Sequence, residues 1–361
     1  MVSFAKPAHR DSLTTDLALG DPDLEARLAH GLEASESRLR GCAAELRDPY
    51  AAQAAGRLVQ ADGTRLHPLL ALIGAEFSDC DTESAVKAAV LAGLLHGTSP
   101  FHDYVMAGAG TWPGAGARGP RVPHARARGE GTVRACAGDR LLRKAASVAA
   151  ELGPEVVRLQ ARMADRLAVS QMRELVGPMD GEDPLAHYTE VTAGKSAALA
   201  SMALQLCAVR AGATGSGTRA ALAAYGEQLG IALRMSDDLV DGAVGMPAGG
   251  AGVAGLPAVI ALADRRRETE ELRTLLSAPP GTAGSGGPTG PTGRADSGGQ
   301  TGPRDVARIS DLLHSTGAVA EARAMTYARL ARARAALEGL PEGPATAALH
   351  ALCDLVGRRD H

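Results

Sequence analysis

Segments rich in alanine and leucine, with arginine and glutamate between them, make up most of this chain. These four residue types are strong helix formers, and Leu24, Leu28 and Leu32 repeat at the spacing of one helix face. No run of alternating valine, isoleucine, threonine and tyrosine is long enough to predict a β-strand. Because aromatic residues make up only 2% of the chain, leucine, alanine and valine must build the core. The sequence therefore predicts an all-α protein.

The same pattern predicts a flexible N-terminal arm over residues 1–20 and a single helical domain over residues 21–361. Within that domain, residues 278–304 are mostly glycine, proline, serine and threonine, which bury too little apolar surface to fold. We expect a disordered insert there. Residues 107–131 also lack helical periodicity, and we expect a loop that carries arginine side chains around His124.

Charge and hydropathy exclude two classes of partner. The net charge of −3 gives no basic surface for nucleic acid. No apolar stretch reaches the length of a membrane span without a charge, glycine or proline, and the first residues lack the apolar core of a signal peptide. The five cysteines are scattered, with neither metal-ligand spacing nor a convincing disulfide set. We therefore expect a cytoplasmic protein with reduced cysteines.

Three carboxylates lie close together in Leu233-Arg234-Met235-Ser236-Asp237-Asp238-Leu239-Val240-Asp241, a segment with otherwise helical spacing. On a helix, Asp237 and Asp241 share one face and Asp238 lies beside them. Like charges at this spacing repel, and aspartate is a weak helix former away from a helix N-terminus. A hard cation such as Mg²⁺ would offset both costs and leave positions for substrate phosphates. The alternative is a solvated acidic helix end.

A second candidate is the turn and helix start Asp62-Gly63-Thr64-Arg65-Leu66-His67-Pro68. Arg65 and His67 would present cationic groups to an anion, next to the free N–H groups of a helix N-terminus. The planar guanidinium of arginine suits phosphate well. The alternative is an ordinary loop with a surface arginine.

Polar residues also interrupt two apolar helices. His96 and Asp103 are two helical turns apart on one face, which favours a polar stripe facing a cavity; the alternative is a surface or capped histidine. Lys195, between the small residues Gly194 and Ser196, would reach into a core cavity as a point charge for phosphate, or would extend to the surface instead. Arg118 belongs to an arginine cluster that either closes over a polyanion or forms a basic loop.

Taken together and in order, these segments resemble the trans-isoprenyl diphosphate synthases, the polyprenyl synthetase family. The resemblance covers about residues 55 to 265 and is carried by five motifs. They are Asp62-Gly63-Thr64-Arg65-Leu66-His67-Pro68 for the family's GGKRxRP turn, Leu95-His96 through Asp103-Tyr104-Val105-Met106-Ala107 for its LLHxxSLxHDDxxD helix, Gly138-Asp139 for its GD, Lys195-Ser196-Ala197 for its KTA, and Leu233 through Asp241 for its FQxxDDxxD.

The resemblance implies an isoprenoid-synthase-type helical bundle around a central cavity, usually as a homodimer. It implies two Asp-rich helices that face each other, with Mg²⁺ ions bridging them to an allylic diphosphate. The allylic carbon ionises, isopentenyl diphosphate attacks it, and diphosphate leaves. Metal ions and cationic side chains offset the charge that develops on the leaving group.

The first acidic motif departs from the family because Asp103 is its only carboxylate; Thr64 and His67 replace two cations, and Leu233-Arg234 replaces the FQ pair. By resemblance, the predicted residues fall into three sets. The catalytic set is Asp103, Asp237, Asp238 and Lys195; the substrate-binding set is Arg65, His67, His96, Lys195 and Arg118; the metal-binding set is Asp103, Asp237, Asp238 and Asp241.

Two functions remain open from the sequence. One is a divergent prenyltransferase that acts on an allylic diphosphate with Mg²⁺, with isopentenyl diphosphate as a candidate co-substrate. The other is a catalytically impaired homologue that regulates an active synthase as its partner in a heterodimer. The lost cations and carboxylates fit the second, whereas the retained like-charged triplet favours ligand binding and hence the first.

Overall fold

The computed structural model describes residues 20–45, 65–106, 124–210, 215–240, 255–263, 268–277 and 303–359, and every regular element in these ranges is helical. The predicted all-α class is therefore confirmed over the described part of the chain. The helices are α1 (Pro22–Ala44), α2 (Leu66–Ala75), α3 (Thr82–Met106), α4 (His124–Leu152), α5 (Pro154–Val176), α6 (Pro184–Thr192), α7 (Ala198–Gln205), α8 (Ser216–Val240), α9 (Leu256–Ala263), α10 (Glu268–Ser277), α11 (Pro303–Ser315), α12 (Ala318–Leu337) and α13 (Pro344–Arg358).

Local signals set several of these boundaries. Asp21 caps α1 because its Oδ1 accepts the N–H of Leu24 at 2.7 Å. Asp183 caps α6 in the same way, through the N–H groups of Leu185 and Ala186. Proline occupies the first turn of both helices, where its missing N–H costs no hydrogen bond. These helix starts can therefore be recognised in the sequence.

Two boundary predictions require correction, whereas the Gly138-Asp139 motif lies within α4. The loop predicted over residues 107–131 is wrong at its C-terminal end, because α4 begins at His124. The insert predicted over residues 278–304 is too long by two residues, since α11 begins at Pro303; residues 278–302, like residues 1–19 of the predicted arm, lie outside the described residues.

Helix α8 lies at the centre of the fold. It packs along α12 and against α7, and it contacts the turn Ala193–Ala197 between α6 and α7, which is a π-helical turn. The larger apolar cluster fills the space between α1, α2, α3, α7 and the first half of α8. A second cluster, with Tyr188, Ile231, Met235 and Leu256, lies around the C-terminal half of α8. The acidic end of α8 therefore lies among apolar side chains.

Glycines allow α8 to approach both the π-helical turn and the start of α7 closely. A Cβ atom on Gly230 would lie 2.5 Å from the Cα of Ala197, and one on Gly226 would lie 2.6 Å from the Cα of Ser201. Because the obstructing atoms belong to backbone, they cannot swing aside like the end of a side chain. The two glycines thus fix the position of Lys195, in the π-helical turn, relative to the acidic end of α8.

None of the helices in the described ranges is long and apolar enough to cross a membrane.

Candidate functional site

The acidic end of α8 is buried. Asp237 and Asp238 each expose only 4% of their surface, so the alternative of a solvated acidic helix end is wrong for this pair. Aspartates at a helix C-terminus also meet the negative end of the helix dipole. The structure must therefore supply positive charge or donors nearby, and it does so differently for each carboxylate.

Asp238 is held from three sides. Its Oδ2 accepts the Tyr188 hydroxyl of α6 at 2.7 Å and the Leu256 N–H at the start of α9 at 2.9 Å. Its Oδ1 lies 3.2 Å from Nη2 of Arg234, one turn earlier on α8. Burial, followed by the charge of Asp238, raises the pKa of Tyr188 well above its usual value, so this hydroxyl remains a donor. Asp238 therefore joins α6, α8 and α9 as a fixed anion.

Asp237 is bound less completely. Its Oδ1 lies 2.9 Å from Nη2 of Arg359, just beyond α13, whereas its Oδ2 is buried and accepts no hydrogen bond from any described group. Burial raises the pKa of Asp237 to about 6, although the charges of Arg359 and Arg234 oppose that shift. A buried carboxylate oxygen without a donor is unusual, because leaving it unsatisfied costs free energy. Asp237 therefore has an oxygen, Oδ2, that is available to ligate a cation.

Lys195 lies in the π-helical turn, a type of helix distortion that is frequent at functional sites. Its Nζ is 2.5 Å from Oε2 of Glu174 on α5, and its side chain is 17% exposed, so it does not extend freely to the surface. Glu174 also interacts with Arg234 of α8. Burial lowers the pKa of Arg234, but the negative charges of Asp238, Asp237 and Glu174 are among the effects that outweigh burial and raise this pKa. Glu174 therefore connects Lys195 electrostatically to the acidic end of α8.

The predicted anion-binding turn is arranged differently from expectation. Arg65 precedes α2, with its Nε 2.5 Å from Oε1 of Glu36 on α1. His67 is buried and stacks on His96 of α3, with ring centroids 4.3 Å apart and planes 25° apart. Burial and then the neighbouring His96 hold the pKa of His67 well below 6.5. His67 is therefore a neutral ring within the helix packing, not the cationic group that the sequence predicted.

The histidine stack should make the fold sensitive to acid. Burial lowers the pKa of His96 to about 4, whereas the pKa of an unfolded histidine is about 6.5. Between these values the unfolded chain binds more protons than the folded chain. For this group, the free energy of unfolding therefore falls by on the order of 3 kcal/mol as the pH drops from about 6.5 to 4, and it is unaffected above 6.5. Urea unfolding across this range measures the slope.

The variant His96→Gln should remove much of that slope, and His30→Gln, at an exposed position on α1, should leave it unchanged. An equal slope in wild type and His96→Gln would show that the stack does not carry the acid sensitivity.

The structure describes the remaining predicted residues only in part. Asp103 lies on α3 seven residues beyond His96, but its side chain is outside the described set, as are Asp241 and Arg118 altogether. Among the described residues, no three acidic, histidine or cysteine side chains gather as a metal site. The two described carboxylates nevertheless fit a hard cation, because Asp237 offers an oxygen that nothing described satisfies.

Sequence reasoning missed Arg359 and Tyr188 as partners of the acidic pair. Arg234 was visible only as a departure from a motif. Its position four residues before Asp238 is the spacing of a helical ion pair, and this was the available signal. Arg359 and Tyr188 reach the site from distant segments, and nothing local marks them.

Comparisons with known proteins agree with the motifs. Residues 48–248 match the family model for polyprenyl synthetase. Nonaprenyl diphosphate synthase from Mycobacterium tuberculosis is 29% identical over 306 residues, which cover 82% of this chain and 83% of that protein. A crystal structure of geranylgeranyl pyrophosphate synthase from Corynebacterium glutamicum superposes with a TM-score of 0.75 at 27% identity, covering 97% of this chain and 98% of that one.

A second structure of the Corynebacterium glutamicum enzyme, complexed with calcium and isoprenyl diphosphate, is 28% identical and has a TM-score of 0.73. It covers 94% of this chain and 98% of that chain. The similarity therefore spans nearly the whole fold as well as the motifs.

Proposed function

The chain belongs to the polyprenyl synthetase family, and from this premise we propose that it transfers the prenyl group of an allylic diphosphate in isoprenoid biosynthesis, with Mg²⁺ as cofactor. The observation that carries the proposal is the buried acidic pair, in which Asp238 is fixed by three partners and Asp237 keeps an unsatisfied oxygen. Relatives named as prenyl diphosphate synthases support the reaction class, and none of those described above is named as a regulatory subunit.

In this proposal, Asp237 and Asp238 hold the cation, with Asp103 and Asp241 as further ligands. When bound, Mg²⁺ would stabilise the negative charge of the leaving diphosphate. The chain's own groups perform the rest. The hydrogen bonds from Tyr188 and the Leu256 N–H hold Asp238 in place without any reorganisation during the reaction.

Cationic side chains would bind the diphosphate. Lys195, positioned by its π-helical turn and by its ion pair with Glu174, is the first candidate. Arg65 and Arg118 are further candidates for binding diphosphate, while His67 and His96 would line the site as neutral rings. The apolar cluster around Met235 and Leu256 would exclude water from an ionised allylic carbon.

The test is turnover by the purified full-length chain. It is incubated with Mg²⁺, isopentenyl diphosphate and, in turn, dimethylallyl, geranyl and farnesyl diphosphate, and products are identified by mass. We expect elongated prenyl diphosphates with at least one allylic substrate and none when the cation is removed with a chelator. No turnover alone, together with a changed product length when an active synthase is added, would instead favour the regulatory subunit.

Arg359 is expected to compete with the cation for Asp237. The variant Arg359→Gln removes the largely buried partner of Asp237, and a coupling of about 1 kcal/mol between this arginine and the cation would lower the Mg²⁺ needed for half-maximal activity about fivefold. The measurement is a Mg²⁺ titration of the initial rate. Arg358→Gln is the matched control, since Arg358 is the exposed neighbour in the same chain segment. An unchanged or higher Mg²⁺ requirement for Arg359→Gln would contradict the competition.

A homodimer, a heterodimer with a related synthase and a cytoplasmic location stay predictions of the sequence. The same holds for isopentenyl diphosphate as co-substrate, which the turnover experiment addresses directly.

A further inference from the structure

Two cysteines that are distant in the sequence meet at the edge of the larger apolar cluster. The Sγ atoms of Cys80 and Cys207 lie 2.8 Å apart, although 127 positions separate them. Cys80 lies in the connection between α2 and α3, and Cys207 lies in the turn that follows α7. Both are free thiols. Both cysteines are therefore reduced, as the sequence predicted, but they are neighbours in the fold, which their positions in the sequence did not indicate.

The surroundings of the two thiols differ. Cys207 is buried, with 1% of its surface exposed, whereas Cys80 is partly exposed. The guanidinium of Arg210 approaches the Cys80 Sγ at 3.6 Å and is itself fixed by a 2.9 Å hydrogen bond to the Leu152 carbonyl oxygen. Cys80 thus has solvent access and a contact with a positively charged group, whereas Cys207 is almost fully buried.

These contacts make Cys80 the more acidic thiol. The hydrogen bond with Cys207 and then the charge of Arg210 lower the pKa of Cys80, although burial and Asp81 act against them. The pKa of Cys207 is raised, first by the same hydrogen bond and then by burial. The thiolate is the reactive form of cysteine, so Cys80 is the attacking group and Cys207 the resolving one.

We propose that Cys80 and Cys207 form a reversible redox pair that hydrogen peroxide oxidises to an intrachain disulfide. The Cys80 thiolate attacks one peroxide oxygen, an S–O bond forms, the O–O bond breaks, and the released hydroxide takes up a proton to become water. The Cys207 sulfur then attacks the Cys80 sulfur; an S–S bond forms, the S–O bond breaks, and the leaving hydroxide takes the Cys207 proton to give a second water. The two sulfurs supply the two electrons that reduce the peroxide.

Little movement separates the thiols from the bonded state. A disulfide has an S–S length of about 2.05 Å, so the two sulfurs must approach by less than one ångström from 2.8 Å. The bond would tether the segment before α3 to the turn after α7. Helix α3 carries His96 and Asp103, and α7 follows the π-helical turn with Lys195. The modification would thus connect the elements on which two parts of the proposed site lie.

The test uses the full-length chain, first reduced and then treated with hydrogen peroxide. We expect the intact mass to fall by two hydrogen atoms and a proteolytic digest to contain one linked peptide joining Cys80 to Cys207. A thiol reductant should restore the original mass. The variant Cys207→Ser should lose the link and accumulate a sulfenic acid at Cys80 that a dimedone probe traps.

Cys42→Ser and Cys353→Ser are the matched controls, since both replace buried free cysteines elsewhere in the core and should retain the link. The wild-type digest decides the question even if a serine variant fails to fold. Oxidation of Cys80 to sulfinic acid without a link, linkage of either cysteine to a different partner, or no reaction where a small thiol is fully oxidised would each overturn the proposal.

Discussion

Replacing Asp237 by asparagine is expected to lower the rate of prenyl transfer at least about 100-fold, the scale seen when one preorganised stabiliser of transition-state charge is removed. Asparagine keeps the size of the side chain but replaces one buried oxygen by an NH₂ group, which cannot ligate a cation. It also removes the charge that attracts the cation. The measurement is kcat and KM for the allylic diphosphate at saturating Mg²⁺, where weakened metal affinity alone would be overcome.

Asp237 is a cleaner probe than Asp238. Asp238 accepts bonds from Tyr188 and from the first turn of α9, so its removal would also loosen the packing of those helices. Asp237 has no described hydrogen bond at Oδ2, and burial already disfavours its charge. The Asp237→Asn protein weakens only the ion pair with Arg359, so its melting temperature should change by no more than a few degrees while activity is lost, which separates a chemical role from a structural one.

The matched control is Asp354→Asn. Asp354 also pairs with an arginine, Arg334, at 2.5 Å, but it is largely exposed on α13. Its replacement should change neither rate nor Mg²⁺ requirement, because exposed ion pairs contribute little. If Asp237→Asn retained wild-type kcat, the metal-binding role of the acidic pair would have to be abandoned, and with it the main support for the proposed function.

Helix starts and the acidic pair could be predicted because their signals are local. Proline after an aspartate marks α1 and α6, and the bounds of α5 follow from Pro154 and the glycine after Val176. Asp237 and Asp238 stand out since adjacent carboxylates on a helix are costly without compensation. Each of these signals lies within a few residues of the feature that it marks.

The partners of the acidic pair could not be predicted in the same way. Tyr188 is 50 positions from Asp238 and belongs to a different helix. Arg359 reaches Asp237 from the end of the last described helix, and Cys80 meets Cys207 across a similar gap in sequence. Such contacts depend on how helices cross, and periodicity reveals which face of a helix is buried but not against what. His67 shows the same limit, because its stacking partner decides its charge.

The helix crossing itself provides the second large effect. Gly230→Ala is expected to lower the free energy of unfolding by about 3 kcal/mol, near the upper end for overpacking. The new Cβ would lie 2.5 Å from the Cα of Ala197 and 3.1 Å from its nitrogen, so the π-helical turn must move as a unit. Lys195 is two residues away in that turn, and a displacement of about 1 Å at a catalytic group can cost 100-fold in rate.

Gly41→Ala on α1 separates the crossing from the general effect of glycine in a helix. Gly41 is exposed, and a Cβ there would meet nothing within 4 Å. Alanine is the better helix former by about 1 kcal/mol, so this variant should be slightly more stable than wild type. Urea unfolding measures the stability of both variants, and the rate of prenyl transfer is measured at urea concentrations below the unfolding transition. If the backbone contact at Gly230 positions the site, the stability changes of Gly230→Ala and Gly41→Ala relative to wild type should have opposite signs. A stable and fully active Gly230→Ala protein would show that the π-helical turn can shift without consequence, and the proposed placement of Lys195 would then lose its structural basis.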